Sequence, residues 1–402
     1  MLEDIYLDEQ RTFRNGTASV AVDAALRPHV LFPAGESTGR DGFYASPDPA
    51  GDWSVEPITD PATGEPVPMF WGDIAVTPDD GRVFVLAAAG DHAELWGREG
   101  ESWQRIDVLK SVRLGQRHAL KVDAAGTLHA AFDLADGGNL LQAGIGSRPD
   151  GTWNFQPVGE PVYFEDMTLS LSADGKPYVA FWEPTETEGW LLRLGDTSAV
   201  ETIVPLGSGG LEDININFAV AAGGPPAQAH FLVNRLDEKE DFSFEGFFFL
   251  EYIARDVKGA WKTHLVATGD PRYESPDFCF EAPPFDGAEC PVDFTTYHSL
   301  GVFAGEDGEV RFLFSRLRAV GVKVAECPKK DPQSCSITRD IRYEGDLRIG
   351  WVDGNTIRQH VLLDDVVPSK ATALIDTAGN LHVVCYDQRT DPTAVRYLRF
   401  GE

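Results

Sequence analysis

The sequence predicts an all-β fold, a seven-bladed β-propeller built from four-stranded blades. Three observations predict it: one strand-and-turn pattern recurs seven times, Gly and Pro are frequent, and each end of the chain supplies part of one blade. A period of roughly 40–50 residues is typical of propeller blades, and many short strands require many turns. We therefore expect one propeller domain over residues 1–402, although length alone would suggest two or three domains.

The recurring pattern is an apolar strand that ends in a turn containing Asp, Ala or Gly. Its last apolar residue marks the repeat seven times, at Val22, Val76, Val122, Leu171, Val220, Val302 and Ile375. The first five marks are separated by roughly 50 residues, as blades are. The last two intervals are longer because they contain insertions, which we place at about 269–296 and 317–346 on one rim of the propeller.

The two chain ends predict how the ring closes. The seventh repeat supplies three strands, the last over residues 394–400, and residues 4–7 supply a spare strand before the first repeat. We expect this N-terminal strand to complete the last blade, because closure removes an exposed sheet edge. An incomplete ring or an eighth partial blade is the alternative.

The turns before the fourth strands carry a repeated Gly and Trp. They occur at Gly51 and Trp53, Gly100 and Trp103, Gly151 and Trp153, and Gly259 and Trp261. Ser46 and Asp48 precede the first of these turns, and Ser147 and Asp150 precede the third. The pattern resembles the Asp-box repeat (Ser-x-Asp-x-Gly-x-x-Trp) of the sialidase-like propeller superfamily, although no turn matches at every position. Asp-boxes are structural in that superfamily, so the resemblance implies the fold and no activity.

The charge of the chain limits its partners. Lys and Arg number 34 against 64 Asp and Glu, which gives a net charge of −30. Such a field repels nucleic acid and anionic membranes, whereas cationic partners, neutral sugars and divalent metals are tolerated. The first interpretation of the acidity is solubility alone. No apolar run is long enough for a membrane span, residues 1–4 show no signal-peptide pattern, and we expect a monomer.

Five cysteines bear on the compartment. Cys279 and Cys290 lie close together in one insertion, Cys327 and Cys335 lie in the other, and Cys385 lies alone in a strand-like run. We expect two disulfides and one buried thiol, and hence a secreted, periplasmic or cell-surface protein. The alternative is a zinc site of four cysteines, but neither pair has the tight Cys-x₂₋₄-Cys spacing that such sites use.

Four second strands carry a histidine at the same place in the repeat. These histidines are His29, His129, His230 and His382. A residue that recurs at one structural position in separate blades is expected to serve the repeat itself. We therefore predict structural histidines here and no metal site.

One rim of the central channel is predicted to hold a ligand site. Five residues before the marks, the ring at the channel mouth consists of Thr17, Trp71, Arg117, Asp166, Asn215, Tyr297 and Lys370. Asp73 and Asn217 lie one step deeper, His118 and His298 lie beside the ring, and the second strands end in Asp133, Glu183, Arg235, Arg316, Asp387 and Arg389. A seven-fold repeat would permit one small residue at every mouth position, so this polar diversity indicates a binding site on a rigid scaffold. The alternative is that any solvated rim collects polar residues.

The first function that this rim suggests is recognition without catalysis. In this interpretation an extracellular or periplasmic propeller binds a glycan, a peptide or a protein at the mouth, beneath the two insertions. The aromatic and amide side chains of Trp71, Asn215, Asn217 and Tyr297 favour it, and the sequence contains no catalytic motif that would oppose it.

The second function is that of a carbohydrate-active enzyme, a polysaccharide lyase or a glycoside hydrolase. In a lyase, Arg117, Arg235, Arg316 and Arg389 would clamp an anionic sugar while Tyr297, His298 and His118 transfer protons. In a hydrolase, two of the carboxylates Asp166, Glu183 and Asp387 would act as a pair. The net charge of −30 opposes an anionic polymer unless the mouth is locally positive.

The third function is that of a calcium-dependent hydrolase. Asp73, Asp166, Glu183, Asn215 and Asn217 resemble the calcium-centred mouth of lactonase-type propellers, and hard oxygen ligands suit Ca²⁺. No contiguous calcium-loop motif supports this resemblance. Apart from this Ca²⁺, the sequence predicts no cofactor.

Overall fold

The structure is a computed structural model of the chain. It describes residues 2–8, 18–36, 39–69, 71–88, 92–110, 112–114, 120–134, 142–162, 165–184, 190–206, 216–222, 228–238, 246–255, 259–271, 289–304, 309–326, 336–387 and 394–401. In these residues seven antiparallel sheets are formed, and the described residues include no helix, membrane-spanning or otherwise. The predicted fold class, a propeller of seven four-stranded blades, is therefore confirmed.

Each blade is an antiparallel meander that runs from an inner strand to an outer edge. Blade one contains β2 (Ser19–Val22), β3 (Pro28–Glu36), β4 (Gly39–Pro47) and β5 (Trp53–Pro57). Blade two contains β6 (Trp71–Val76), β7 (Val83–Ala88), β8 (His92–Glu99) and β9 (Ser102–Lys110). Blade three contains β11 (Leu120–Val122), β12 (Leu128–Leu134), β13 (Ala143–Arg148) and β14 (Asn154–Pro157), and the short β10 (Val112–Leu114) also pairs with β12.

The remaining blades follow in chain order. Blade four contains β15 (Glu165–Leu171), β16 (Pro177–Pro184), β17 (Trp190–Gly195) and β18 (Val200–Leu206). Blade five contains β19 (Ile216–Ala222), β20 (Gln228–Glu238), β21 (Gly246–Arg255) and β22 (Trp261–Thr268). Blade six contains β23 (Asp270–Pro271), β24 (Glu289–Ala304), β25 (Val310–Glu326), β26 (Ser336–Asp353) and β27 (Thr356–Asp364). Blade seven contains β28 (Pro368–Ile375), β29 (Leu381–Asp387), β30 (Ala394–Phe400) and β1 (Leu2–Asp8).

The core lies between the blades. Each of the seven interfaces between neighbouring blades contains one cluster of buried apolar side chains. Successive residues of a strand point to opposite faces, so each blade packs against both of its neighbours. The second strands are covered on both sides, and every residue of β7 and β29 is buried. This burial explains why β7 has a continuous apolar sequence and why β29 is apolar apart from His382 and Asp387.

The N-terminal strand closes the ring, as the sequence predicts. β1 pairs with β30 and forms the outer edge of blade seven, and the inner strand β28 contacts the inner strand β2 of blade one. Arg396 of β30 donates from Nε to Asp4 Oδ1 at 2.7 Å and from Nη1 to Asp387 Oδ2 at 3.0 Å. Arg396 and Asp387 are both buried, and the hydrogen bond to Asp4 is the main cause of a raised pKa for Arg396. One buried cation therefore joins the first strand of the chain to the last blade.

The first of the Asp-box-like turns is a hydrogen-bonded structural turn. Oδ1 of Asp48 accepts hydrogen bonds from the backbone N–H groups of Ala50 and Asp52, at 2.7 and 3.0 Å. Trp53 follows this turn and packs on Tyr397 of blade seven, with 4.8 Å between the ring centroids. The turn thus places its tryptophan in the interface between two blades.

Blade six is longer than the other blades because parts of both predicted insertions are strands. β24, β25 and β26 contain 16, 17 and 18 residues. Residues 289–296 pair with residues 317–324, which pair in turn with residues 338–345. Pro and Asp are frequent in these insertions and are typical of irregular loops, but three paired strands satisfy the backbone groups of these segments. Blade six therefore extends beyond the rim as a β-sheet.

Replacing Arg396 with Gln should destabilise the protein strongly. The substitution removes the ion pair between Arg396 and the buried carboxylate of Asp387, and breaking a buried ion pair costs about 3–5 kcal/mol of the free energy of unfolding. Urea denaturation measures this loss. Arg358→Gln is the matched control, because Arg358 pairs with Asp353 where both side chains are largely exposed, and no measurable change is expected. Equal effects of the two substitutions would contradict a role for Arg396 in closure.

Candidate functional site

Some of the predicted site residues lie outside the described part of the chain. These are Arg117, His118, Asn215 and Arg389, together with Cys279, Cys327 and Cys335. Others are described by their backbones, which lie in β15 for Asp166, β20 for Arg235, β24 for Cys290 and β28 for Lys370. Their roles, the two disulfides and the location outside the cytoplasm stay predictions. Cys385 is buried in β29, as expected.

Asp73 and Asn217 connect neighbouring blades at the inner ring. Oδ1 of Asp73 accepts a hydrogen bond from the Ser19 hydroxyl of blade one, and Oδ2 accepts one from the backbone N–H of Leu120 in blade three, at 3.0 Å. Nδ2 of Asn217 in blade five donates to Ser299 Oγ in blade six at 3.0 Å. These polar groups therefore hold inner strands together in the structure.

Glu183, Asp387 and Trp71 lie apart from one another, in blades four, seven and two. Oε2 of Glu183 accepts a hydrogen bond from Arg193 Nε at 2.6 Å within its own blade. Asp387 is fully buried beside Arg396, and Trp71 begins β6 in a half-buried position. The structure thus does not bring these three predicted residues into one cluster.

Tyr297, Arg316 and Asp346 form a row across blade six. Tyr297 of β24 lies directly opposite Arg316 of β25, which lies directly opposite Asp346 of β26. Residues that pair in this way point to the same face of the sheet. Tyr297 packs against the apolar cluster between blades five and six, so the row faces blade five.

Asp346 holds two arginines at this face. Its side chain is 3% exposed, and its Oδ2 lies 2.6 Å from Nη2 of Arg316. Arg348 donates from Nε to Asp346 Oδ1 at 2.5 Å and from Nη2 to Oδ2 at 3.1 Å. These hydrogen bonds are the first cause of a raised pKa for Arg348. One buried carboxylate thus fixes two guanidinium groups, and the three side chains together carry one net positive charge.

Arg316 is the member of this group that meets solvent. Its side chain is 41% exposed, whereas its Nε is buried and has no hydrogen-bond partner among the described residues. A guanidinium group has five N–H donors in a planar fork. The bond to Asp346 fixes the orientation of that fork and leaves donors for a ligand.

Two more arginines lie on the same face of the extended sheet. Arg318 lies two residues along β25 from Arg316 and contacts Asp293 at 3.3 Å, and Arg342 of β26 lies opposite Val320. We call the resulting surface the Arg316 face, which consists of Tyr297, Arg316, Arg318, Arg342, Asp346 and Arg348. Sequence reasoning missed most of it. The alternation of charged and apolar residues in Arg316-Leu317-Arg318 and Asp346-Leu347-Arg348 was a signal that would have found it.

His298 points away from the Arg316 face. It follows Tyr297 directly in β24, and successive strand residues point to opposite faces. Its Nε2 lies 3.2 Å from Thr296 Oγ1, two residues earlier on the same strand. The two residues that were expected to exchange protons with one ligand therefore lie on different sides of blade six.

The repeated histidines of the second strands make structural contacts. Nδ1 of the histidine lies 2.6–2.7 Å from a tyrosine hydroxyl of the third strand in three blades: His29 with Tyr44, His230 with Tyr252, and His382 with Tyr397. His129 instead contacts Ser147 at 2.9 Å and Asp123 at 3.1 Å. The described residues contain no group of three His, Cys, Asp or Glu side chains that would hold a metal ion.

Burial favours the neutral form of His29 and His230. It lowers the pKa of His29, and it lowers the pKa of His230 to about 4. Burial also raises the pKa of Tyr252, the partner of His230. Both groups of the pair therefore stay uncharged around neutral pH, as a contact inside a blade requires.

Comparisons with known proteins place the chain by its fold. No protein-family model and no curated protein matches it. A solved polysaccharide lyase, Uly1, is similar to it at 9% identity, over 99% of this chain and 99% of the lyase, with a TM-score of 0.51. An ulvan lyase bound to –[GlcA(1-4)Rha3S]– is similar at 8% identity, over 98% and 95% of the two chains, with a TM-score of 0.51. A fucose-specific lectin from Aleuria aurantia follows at 10% identity, over 87% and 96%, with a TM-score of 0.41.

The likenesses to the two lyases concern the fold alone. At such identities they transfer neither an activity nor a residue role to this chain. The resemblance to the Asp-box superfamily likewise stays a resemblance, because no matching family carries it.

Replacing His230 with Gln should flatten the acid side of the stability profile. The folded-state pKa of about 4 lies below the ordinary value of 6.5, so the unfolded chain binds a proton that the folded chain does not. Stability is complete above the ordinary value and falls as the pH drops toward the folded value. His230 should therefore account for about 2 kcal/mol of the unfolding free energy lost between about pH 7.5 and about pH 5.

Urea denaturation at the two pH values measures this loss for the wild type and the variant. His360→Gln is the control, because His360 is exposed on β27 and its removal should leave the profile unchanged. A His230→Gln variant that loses as much stability on acidification as the wild type would show that His230 is not the acid-sensitive group.

Proposed function

We propose that this propeller is a recognition module that binds an acidic glycan on the Arg316 face. The observation that carries the proposal is the exposed side chain of Arg316. Its Nη2 lies 2.6 Å from Oδ2 of the buried Asp346, and this contact orients the guanidinium. Arg forms paired, parallel hydrogen bonds with carboxylate and sulfate groups, and a guanidinium that is already oriented loses less entropy when it does so. The Arg316 face therefore suits a sugar that bears such a group.

The arginine pair at Asp346 supports an anionic ligand in an acidic protein. The chain carries a net charge of −30, and the four arginines of this face stand beside the carboxylates of Asp293, Glu344, Asp346 and Asp364 on the same side of blade six. Two of them, Arg316 and Arg348, share the single carboxylate of Asp346. The group of Arg316, Arg348 and Asp346 carries one net positive charge, and an anionic group is attracted to it because more distant negative charges are screened by salt.

Tyr297 supplies the second element of a carbohydrate site. It is half-buried at the start of the row, with its ring centroid 6.3 Å from that of Phe314. An aromatic ring offers an apolar surface together with a hydroxyl, and sites for ligands combine such surfaces with a few placed polar groups. The proposal also agrees with the glucuronate-containing ligand named for the similar ulvan lyase, whose likeness concerns the fold alone.

A calcium-dependent function lacks such support. Both carboxylate oxygens of Asp73 accept hydrogen bonds from within the protein, and Glu183 pairs with Arg193. We therefore do not propose calcium chemistry for this rim.

Isothermal titration should detect binding of an oligosaccharide that contains glucuronic acid, and weaker or no binding of a neutral oligosaccharide of the same length. Arg316→Gln should weaken the affinity at least tenfold, which corresponds to about 1.4 kcal/mol, because a charge-assisted hydrogen bond is lost. Arg82→Gln is the matched control, since Arg82 has a similarly exposed side chain in blade two and should leave affinity unchanged.

Asp346→Asn tests whether binding depends on the orientation of the Arg316 guanidinium. This change makes the face more positive, so a purely electrostatic site would bind the acidic glycan more tightly. A site that depends on orientation would bind it more weakly, provided that thermal melting shows a folded variant. Equal binding of the neutral glycan, or full affinity in Arg316→Gln, would contradict the proposal.

The second candidate function is that of a polysaccharide lyase at the same face. The observation that favours it is the position of Tyr297 directly opposite Arg316. In a lyase the guanidinium would neutralise the uronate carboxylate, and Tyr297 in its phenolate form would take the C5 proton. The electron pair of the C5–H bond would form a C4=C5 double bond while the C4–O bond breaks, and the departing oxygen would take that proton from the tyrosine hydroxyl, which restores the phenolate.

Tyr297→Phe distinguishes catalysis from binding. If the chain is a lyase, incubation with the acidic glycan produces an ultraviolet-absorbing unsaturated uronate, and this variant should lose that signal while it keeps its affinity. Tyr343→Phe is the control, because Tyr343 is an exposed tyrosine of the same blade that points to the other face. If the wild type binds the glycan and releases no unsaturated product, the lyase candidate is excluded and recognition remains.

A further inference from the structure

The central channel contains a cavity at the end that lies away from the extended strands of blade six. Its volume is about 960 Å³. Its wall is formed by the carboxyl-terminal halves of the inner strands, and Asp376, Thr377 and Gly379 at its edge belong to the turn between β28 and β29. The cavity therefore opens among the turns that connect first and second strands. Cavities of about 300–1,000 Å³ are the size of small-molecule sites.

Lys121 is the exceptional residue in the wall of this cavity. It occupies the position just before the repeat mark Val122 in blade three. In the other six blades this position holds Ala21, Ala75, Ser170, Ala219, Gly301 and Leu374. A crowded axis explains the small residues, but it does not explain a lysine.

The lysine points toward blade four. Its neighbours Leu120 and Val122 pack into the cluster between blades two and three, so the residue between them faces the other way. Thr168 and Ser170 of β15 also line the cavity, and by the same alternation their side chains lie on the side of β15 toward blade five. Ser170 Oγ accepts a hydrogen bond from the backbone N–H of Val220 at 3.3 Å, which leaves its own hydroxyl proton for another acceptor.

Lys121 has no hydrogen-bond or ion-pair partner within the described part of the chain. The other charged groups at the cavity are already engaged. Arg311 pairs with Glu309 at 3.4 Å, and Asp376 accepts hydrogen bonds from Asn380 at 2.8 Å and contacts His382 at 2.9 Å. The cavity wall carries two cations, Lys121 and Arg311, and two carboxylates, Glu309 and Asp376, and none of the other three is in contact with Lys121.

We propose that the channel cavity binds a free, small, hydroxylated carboxylate, such as a monomeric sugar acid. The carboxylate would pair with Lys121, the hydroxyl groups would bond to Thr168 and Ser170, and the carbon skeleton would lie against the apolar wall at Leu171 and Leu374. This site is separate from the Arg316 face, and it does not depend on the function proposed there.

Glucuronate is the probe, and glucose is its neutral counterpart. Binding is followed by ligand-observed NMR titration of the full chain. A ligand of this size should bind with a dissociation constant on the order of 1 mM, as ligand efficiency suggests. Lys121→Gln should weaken the affinity at least tenfold, because the charge partner is lost while the length of the side chain is largely kept. Glucose should bind at least tenfold more weakly than glucuronate to the wild type.

Two further variants locate the site. Lys176→Gln is the matched control. This lysine also lies in a turn between a first and a second strand, in blade four, but it is paired with Asp196 at 2.5 Å. Its removal should therefore leave glucuronate binding unchanged. Arg316→Gln should likewise leave it unchanged. Loss of binding in Arg316→Gln with full binding in Lys121→Gln would move glucuronate to the Arg316 face and overturn the channel site. No binding of glucuronate to the wild type, or equal binding of glucose, would also overturn it.

Discussion

Closure of the ring is the constraint on which the rest of the structure depends. A blade has two apolar faces, and both are buried only when a neighbour stands on each side. The seventh blade meets the first through its inner strands and one buried cluster, and the N-terminal strand completes its sheet by pairing with β30. Arg396 secures this pairing from inside, between the carboxylates of Asp4 and Asp387. Every inner strand, and every side chain that the inner strands place, takes its position from this closed ring.

Polar residues that repeat serve the ring, and residues that break the repeat indicate sites. The histidines of the second strands contact tyrosine or serine side chains inside their own blades. Asp73 and Asn217, although they lie at the inner ring, connect neighbouring blades. In contrast, Lys121 stands where the other blades have small or apolar residues, and blade six alone extends its strands to 16–18 residues. The two candidate sites lie at these departures from the repeat.

Strand alternation determines which residues can act together. Arg316 and Asp346 are far apart in sequence, yet their strands pair and their side chains share one face. Tyr297 and His298 are neighbours in sequence, yet they point to opposite sides of blade six. This separation argues against an acid–base pair of Tyr297 and His298 on the Arg316 face. The buried Asp346 also explains how an exposed arginine can be oriented in a protein of high negative charge.

The sequence alone determined the number of blades, the closure by the N-terminal strand and the structural histidines, because each follows from a local pattern repeated along the chain. It also singled out Tyr297 and Arg316 as site residues. It did not determine the pairing of Arg316 with Asp346. That contact depends on the register between two strands, β25 and β26, and the segment between these two residues was predicted only as an insertion. Nor did it indicate Lys121, because a single lysine in a strand gains meaning only when seven inner strands surround one cavity. Local periodicity fixes what repeats, whereas the side-chain contacts that define a site arise only when distant strands are brought into register.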